Sequence, residues 1–182
     1  MQTRDEIIAA LQNVDREGAA YWSAFAPDVF FAKIGSSWSP AETVRHLVKA
    51  IRPVTKALSM PKLALRVMFG RPRRAPETYD ALRTRYLGLL ESGGQAGRFA
   101  PTPRRESDLA SWRLSILRQL SDANASLAAA MARWPDGALD RYQLPHPLLG
   151  KLTVREMLFF TVYHQHHHMA VVSRRREAAG TT

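Results

Sequence analysis

The sequence predicts an all-α fold, an up-and-down helical bundle with additional short helices. Three observations carry this. Apolar residues recur at helical spacing over four long stretches. Three of those stretches open on a Ser/Thr-x-x-Glu capping box, in which the hydroxyl and the carboxylate satisfy backbone N–H groups that the first turn leaves free. No segment sustains the period-two alternation of a half-buried strand, so a major sheet is not expected.

Taken in order, Thr3-Arg4-Asp5-Glu6 caps a first helix that carries Ile7, Ile8, Leu11 and Val14 to about residue 21. Residues 24–37 read as a loop. Ser39 then caps a second helix, with Pro40 at the first helical position, where its missing N–H is harmless, and Glu42 closing the box. Val44, Leu47, Val48, Ile51 and Val54 line one side, and Pro53 is a candidate kink. "MPKLALRVMFG", ended by Gly70, reads as a lid or connector, although Lys62 and Arg66 are spaced so that the piece could lie on a membrane surface.

A helix over 76–91 is followed by "SGGQAGRFAPTP", read as a flexible loop. A long helix over 106–133 carries Leu109, Trp112, Ile116, Leu117, Leu120, Leu127 and Met131, and Pro135 and Gly137 stop it. A polar link leads to the box Thr153-Val154-Arg155-Glu156 and a last helix to about Arg176. The chain is thus read as one domain over 1–176 with a flexible tail at 177–182.

Composition narrows the function classes. With no cysteine among 182 residues there is no disulfide, thiolate ligand or thiol nucleophile. The amphipathic start lacks the apolar core of a signal peptide, and no apolar run is long enough to span a bilayer. The expectation is a cytoplasmic protein without a membrane partner. The net charge of +10 is concentrated in residues 62–120, which hold twelve Lys/Arg against five Asp/Glu, with Arg71–Arg74 and Arg104–Arg105 prominent. Such a patch attracts anions, but no nucleic-acid motif accompanies it, so nucleic acid is not the expected partner.

The chemistry lies in "TVYHQHHHMAVV", which packs four of the six histidines into five positions. His164 and His168, four apart on a helix, share one face and are spaced to reach one cation. Met157, Phe160 and Thr161 share that face, so it reads as facing the core, where two unpartnered imidazoles would be costly. His166 points to the opposite side and His167 falls off the shared face. His46, two turns into the Ser39-capped helix, is the natural third ligand. Glu42, one turn earlier, is a candidate to orient it or to move a proton. His146, between Pro145 and Pro147, reads as a turn residue.

"WSPAETVRHL", followed downstream by "HPLLGKLTVREMLFFTVYHQHHH", resembles the DinB/YfiT-like superfamily of metal-dependent enzymes. The resemblance runs through a W-S-x-x-E-x-x-x-H-L helix, then G-x-L-T-x-x-E and H-x-x-x-H on the last helix. It implies a DinB-like four-helix bundle and a divalent metal (Zn, Ni, Fe or Mn) held by His46, His164 and His168. The family's frequent glutamine three residues after the last histidine is Val171 here. The resemblance further implies a small-molecule substrate and a reaction of the thiol S-transferase or hydrolase kind. A low-molecular-weight thiol would be the cosubstrate, and Glu42 or His167 an outer or acid/base group. The alternative reading is a non-catalytic bundle that meets an anionic partner through its basic surface, or a scaffold. A homodimer is the default assembly.

Overall fold

The computed structural model of the protein describes residues 2–102 and 108–180. The helices are α1 (Arg4–Ser23), α2 (Pro27–Phe31), α3 (Pro40–Leu58), α4 (Lys62–Phe69), α5 (Tyr79–Glu91), α6 (Leu109–Ala132) and α7 (Val154–Ala178). A hairpin of β1 (Gln143–His146) and β2 (Gly150–Thr153) precedes α7. Single 3₁₀ turns at Gly97–Phe99 and Asp136–Ala138 complete the elements.

The bundle consists of α1, α3, α6 and α7. Both α1 and α3 pack against α6 and against α7, so the four helices close a ring in the order α1, α6, α3, α7. This order makes α3 and α7 neighbours, which the site below depends on. The ring encloses Ile7, Leu11, Val44, Leu47, Leu127 and Leu158, each no more than 1% exposed. α5 packs on the outside of α7. Among the described residues no helix is long and apolar enough to cross a membrane.

All three capping boxes form, with the hydroxyls of Thr3, Ser39 and Thr153 accepting from the N–H of Glu6, Glu42 and Glu156. α3 continues through Pro53 to Leu58. The differences from the sequence reading are local. α2 lies inside the stretch read as a loop, because five residues are too few for a periodicity to show, and its Phe30 is fully buried. The helix expected over 76–91 starts at Tyr79, where Thr78 caps it.

The long helix expected from residue 106 begins at Leu109 with Asp108 as its cap. The remainder of that expected start, together with Arg104 and Arg105, lies outside the described residues. α7 runs to Ala178, two residues into the expected tail; the end of that tail, 181–182, is also outside them.

The link before α7 is an antiparallel hairpin, with Gln143 paired to Thr153 and His146 to Gly150. Four-residue strands are too short to show alternation, and a lone hairpin is marginal in water. This one is held because Leu144, Leu149 and Leu152 are buried and β1 packs on α4.

The start of α7 is locked by charge as well as by its cap. The Glu156 side chain is fully buried, with Oε1 accepting from Arg74 Nη1 at 2.5 Å and Glu77 N at 2.7 Å, and Oε2 from Thr153 N at 2.6 Å. Burial alone would raise its pKa, but these donors hold the carboxyl below its usual value of 4.5. Beside it, Arg155 Nε donates to both oxygens of Asp140, at 2.8 and 3.0 Å.

The substitution Glu156→Gln places an amide NH₂ against these N–H donors and removes the charge opposite Arg74. It is expected to cost about 2–4 kcal/mol, read from the urea midpoint. Because the folded pKa of Glu156 is the lower one, its charge stabilises the fold above about pH 4.5. That contribution disappears as the pH falls through the folded value. The destabilisation by Glu156→Gln should therefore shrink in acid.

Candidate metal centre

His46 and His164 are 4% and 6% exposed, and His168 is half-buried. His46 comes from the second turn of α3, and the other two come from successive turns of α7. The Nε2 of His164 lies 3.1 Å from the Nε2 of His46 and 3.0 Å from that of His168. The three candidate donor atoms all fall within 4.8 Å of one another. Imidazole nitrogens that share one ion at about 2.0–2.1 Å are separated by about 3.0–3.4 Å, which the two short separations match.

The tautomer also suits it. His46 Nδ1 lies 2.9 Å from the Phe99 carbonyl oxygen, which only accepts. Nδ1 therefore carries the proton, and the Nε2 lone pair faces the other two rings. Burial first, and then the neighbouring charged imidazoles, hold His164 well below the ordinary histidine value of 6.5. Burial likewise holds His168 well below that value and lowers His46. Near pH 7 the cluster is three neutral imidazoles, the form that binds a metal. The residues present therefore fit a divalent ion.

Side chains fix the ring orientations. Trp38, two residues before Pro40, packs against His46 with centroids 5.1 Å apart and lies nearly parallel to His168 at 6.4 Å. It is delivered by a tight turn in which Ile34 bridges to Ser37 and Gly35 takes φ +57°, a conformation that disfavours any residue with a Cβ. Phe160 stacks on His164 from the opposite side at 4.8 Å. Next to His164 in the sequence, the buried amide of Gln165 bonds reciprocally with that of Asn124 at 3.0 and 3.1 Å. Asn124 also donates to Asp15 at 2.9 Å, so this polar cluster ties α7 to both α6 and α1.

The histidines open onto a cavity of about 780 Å³. Its walls are mostly apolar, with Ile51, Val54, Phe69, Leu144, Met157 and Val171 among them. Val171, one turn beyond the last of the three histidines, keeps the wall apolar at that point. Among the described residues no carboxylate lines the cavity, while Arg98 and Arg175 do.

The other expected site residues separate. Glu42 Oε2 accepts from Ser39 N at 2.9 Å and serves the cap of α3. It does not line the cavity, and the group that orients His46 is the Phe99 carbonyl. His167 does line the cavity, between Tyr86 and Tyr163, with burial and then Arg174 and Arg175 lowering its pKa to about 4. His166 pairs with Glu17 of α1 at 2.8 Å, facing away from the site as its spacing predicts. His146 serves the turn, its Nδ1 accepting from the N–H of Leu148 and Leu149 at 3.2 and 3.0 Å.

Sequence reasoning missed the segment that holds His46. The stretch read as a flexible loop is tied to α3 at three points. The Phe99 carbonyl takes His46, the Ala100 carbonyl takes Lys49 Nζ at 3.0 Å, and the Thr102 carbonyl takes Arg45 Nη2 at 2.8 Å. Backbone carbonyls have no side-chain signature, so only the alternation of Arg45, His46 and Lys49 on α3 hinted at a polar partner.

A model of the DinB superfamily matches residues 2–172, nearly the whole chain. The chain belongs to the DinB superfamily. Among solved structures, the four-helix bundle protein TT2238 superposes with a TM-score of 0.56 at 19% identity, covering 94% of this chain and 99% of that one. YfiT from Bacillus subtilis superposes with a TM-score of 0.53 at 16% identity, covering 98% and 89%. YfiT is described as a probable metal-dependent hydrolase with an unusual four-helix bundle topology. At these identities the likeness to both shows the fold this DinB chain adopts. No curated protein matches it.

Replacing His46, His164 or His168 by alanine should weaken binding of a divalent ion by at least about a hundredfold in calorimetric titration. His166→Ala should stay within about twofold of the parent. Since burial keeps the three imidazoles neutral below pH 6.5, affinity should be nearly flat from pH 8 to about 6.5 and decline only in more acid solution.

Proposed function

We propose that this protein is a divalent-metal-dependent enzyme that adds water or a low-molecular-weight thiol to an electrophilic small molecule with an apolar body. One observation carries the reading: two buried imidazoles and one half-buried imidazole, from α3 and α7, converge at the wall of a large apolar cavity that no carboxylate among the described residues lines. Three histidines leave coordination positions open, and an ion held by them supplies Lewis acidity and makes water or a thiol more acidic near neutral pH.

The chain's own residues do the rest. The apolar walls around Met157, Leu144 and Val54 take up the substrate body and exclude water. Arg98 and Arg175 offer donors to a carboxylate or phosphate on the substrate. His167 is neutral at pH 7 and acts as a hydrogen-bonding group facing the substrate rather than as a strong base. Tyr86, its pKa pushed up to about 12 by burial, keeps its phenolic proton. The protein has no cysteine, so a thiol nucleophile has to arrive as cosubstrate.

The test is a screen of metal-loaded protein against apolar esters and amides in water, and against apolar epoxides and alkyl halides with added thiols. Turnover should vanish on chelation, return with metal, and drop at least about a thousandfold in His164→Ala. Turnover that survives both chelation and His164→Ala would defeat the proposal. Turnover without thiol identifies water as the nucleophile, and dependence on thiol identifies transfer.

A further inference from the structure

α4 has two apolar faces. The inner one is accounted for: Leu65 is 1% exposed, and Phe69 lines the cavity. Lys62 Nζ sits 4.5 Å over the Trp134 ring, and the Arg66 guanidinium 5.1 Å over Tyr142. The outer face carries Leu63 at 73% exposure, Val67 at 78% and Met68 at 58%, three of the four exposed large hydrophobic residues among those described. Spaced i, i+4 and i+5, they form one continuous outward patch on an eight-residue helix.

The charge around this patch has a single sign. From residue 43 to residue 76 the chain has nine Lys/Arg and no Asp/Glu. Lys62 and Arg66 flank the helix, and exposed Arg71 and Arg73 follow its C-terminus. Lys151 is drawn in from β2, its Nζ donating to the Phe69 carbonyl at 2.8 Å. The nearby carboxylates are already engaged. Glu156 is buried on Arg74, and Glu77 pairs with Arg74 and Arg85 at 3.5 and 3.0 Å. None of the ion pairs among the described residues uses Lys62, Arg66, Arg71, Arg73 or Lys151.

We propose that α4 is a peripheral docking element for an anionic lipid surface. Leu63, Val67 and Met68 enter the headgroup–acyl boundary, and Lys62, Arg66, Arg71, Arg73 and Lys151 meet lipid phosphates. An exposed apolar face with a basic rim is the composition that lies in a membrane interface, where the two contributions reinforce each other. The same composition argues against a second copy of the chain, since a two-fold interface sets each patch against itself and would bring the cationic rims together. It also argues against nucleic acid, because the centre of the patch has nothing to offer a phosphate backbone. The inference stands on surface residues alone and is independent of the metal reading. If both hold, Phe69 places the cavity wall next to the lipid contact.

The experiment is co-sedimentation of the full chain with phosphatidylcholine vesicles, with and without about one-third phosphatidylglycerol. Binding should require phosphatidylglycerol and fall with added salt. The variant L63S/V67S/M68S and the variant R71Q/R73Q should each lower the partition coefficient at least about tenfold. Both alter exposed side chains only, so their melting temperatures should match the parent, confirming that they are folded.

Absence of vesicle binding overturns the proposal, as does equal binding to both vesicle types or undiminished binding by L63S/V67S/M68S. A parent dimer that this variant converts to monomer, without vesicle binding by the parent, would assign the face to a second copy instead. Salt-sensitive binding to duplex DNA in place of vesicles would assign it to nucleic acid.

Discussion

Three neutral imidazoles held edge to edge inside an apolar wall are the constraint around which this bundle is arranged. Their lone-pair nitrogens approach to 3.0 and 3.1 Å. Such a group is unfavourable unless something positive is shared between the rings or the rings are forced into place. The structure supplies the forcing. Trp38 and Phe160 clamp the rings from two sides, and the Phe99 carbonyl fixes the tautomer of His46. Holding the rings in this way lowers the ordering cost of taking up an ion.

The surrounding devices all bear on the position of α7 against α3. The register of α7 is set at its start, where the Thr153 cap, the buried Glu156 and the Arg155–Asp140 pair leave one position for the first turn. About two turns further on, His164 and His168 inherit that register, and the Gln165–Asn124 amide pair holds the same stretch against α6. On the other side, the Ser39 cap and Pro40 start α3 at a defined residue, so His46 falls in its second turn on the face toward α7. Glu42, which has the chemistry of a catalytic group, is used up in this cap.

The surface divides along similar lines. The cavity side is apolar, with Arg98 and Arg175 and no carboxylate among the described residues. The α4 side is apolar outward with a rim of one sign, which has no function within the bundle itself. Phe69 belongs to both, ending α4 and lining the cavity. The basic middle of the chain is therefore not uniform. Arg74 neutralises a buried carboxylate, Arg85 pairs with Glu77, and Arg71 and Arg73 are exposed.

By itself the sequence determined the helices and the shared face of His164 and His168, because both are local. A capping box is completed within four residues, and an i,i+4 histidine pair shares a face on any helix. Periodicity also put His166 on the far side, where Glu17 meets it. The third ligand was reachable through the histidine's place on its own helix and through a family likeness, but its distance from the pair was not. Only the ring order of the bundle, which makes α3 and α7 neighbours, brings residues 118 positions apart to 3.1 Å. Tertiary structure likewise decided what orients His46, because a backbone carbonyl in a Gly-rich stretch leaves no trace in residue identity. It decided which face of α4 remains outside, because Leu63, Leu65 and Val67 are equally apolar as letters and only the packing of α4 on β1 and the core buries Leu65 and leaves the other two exposed.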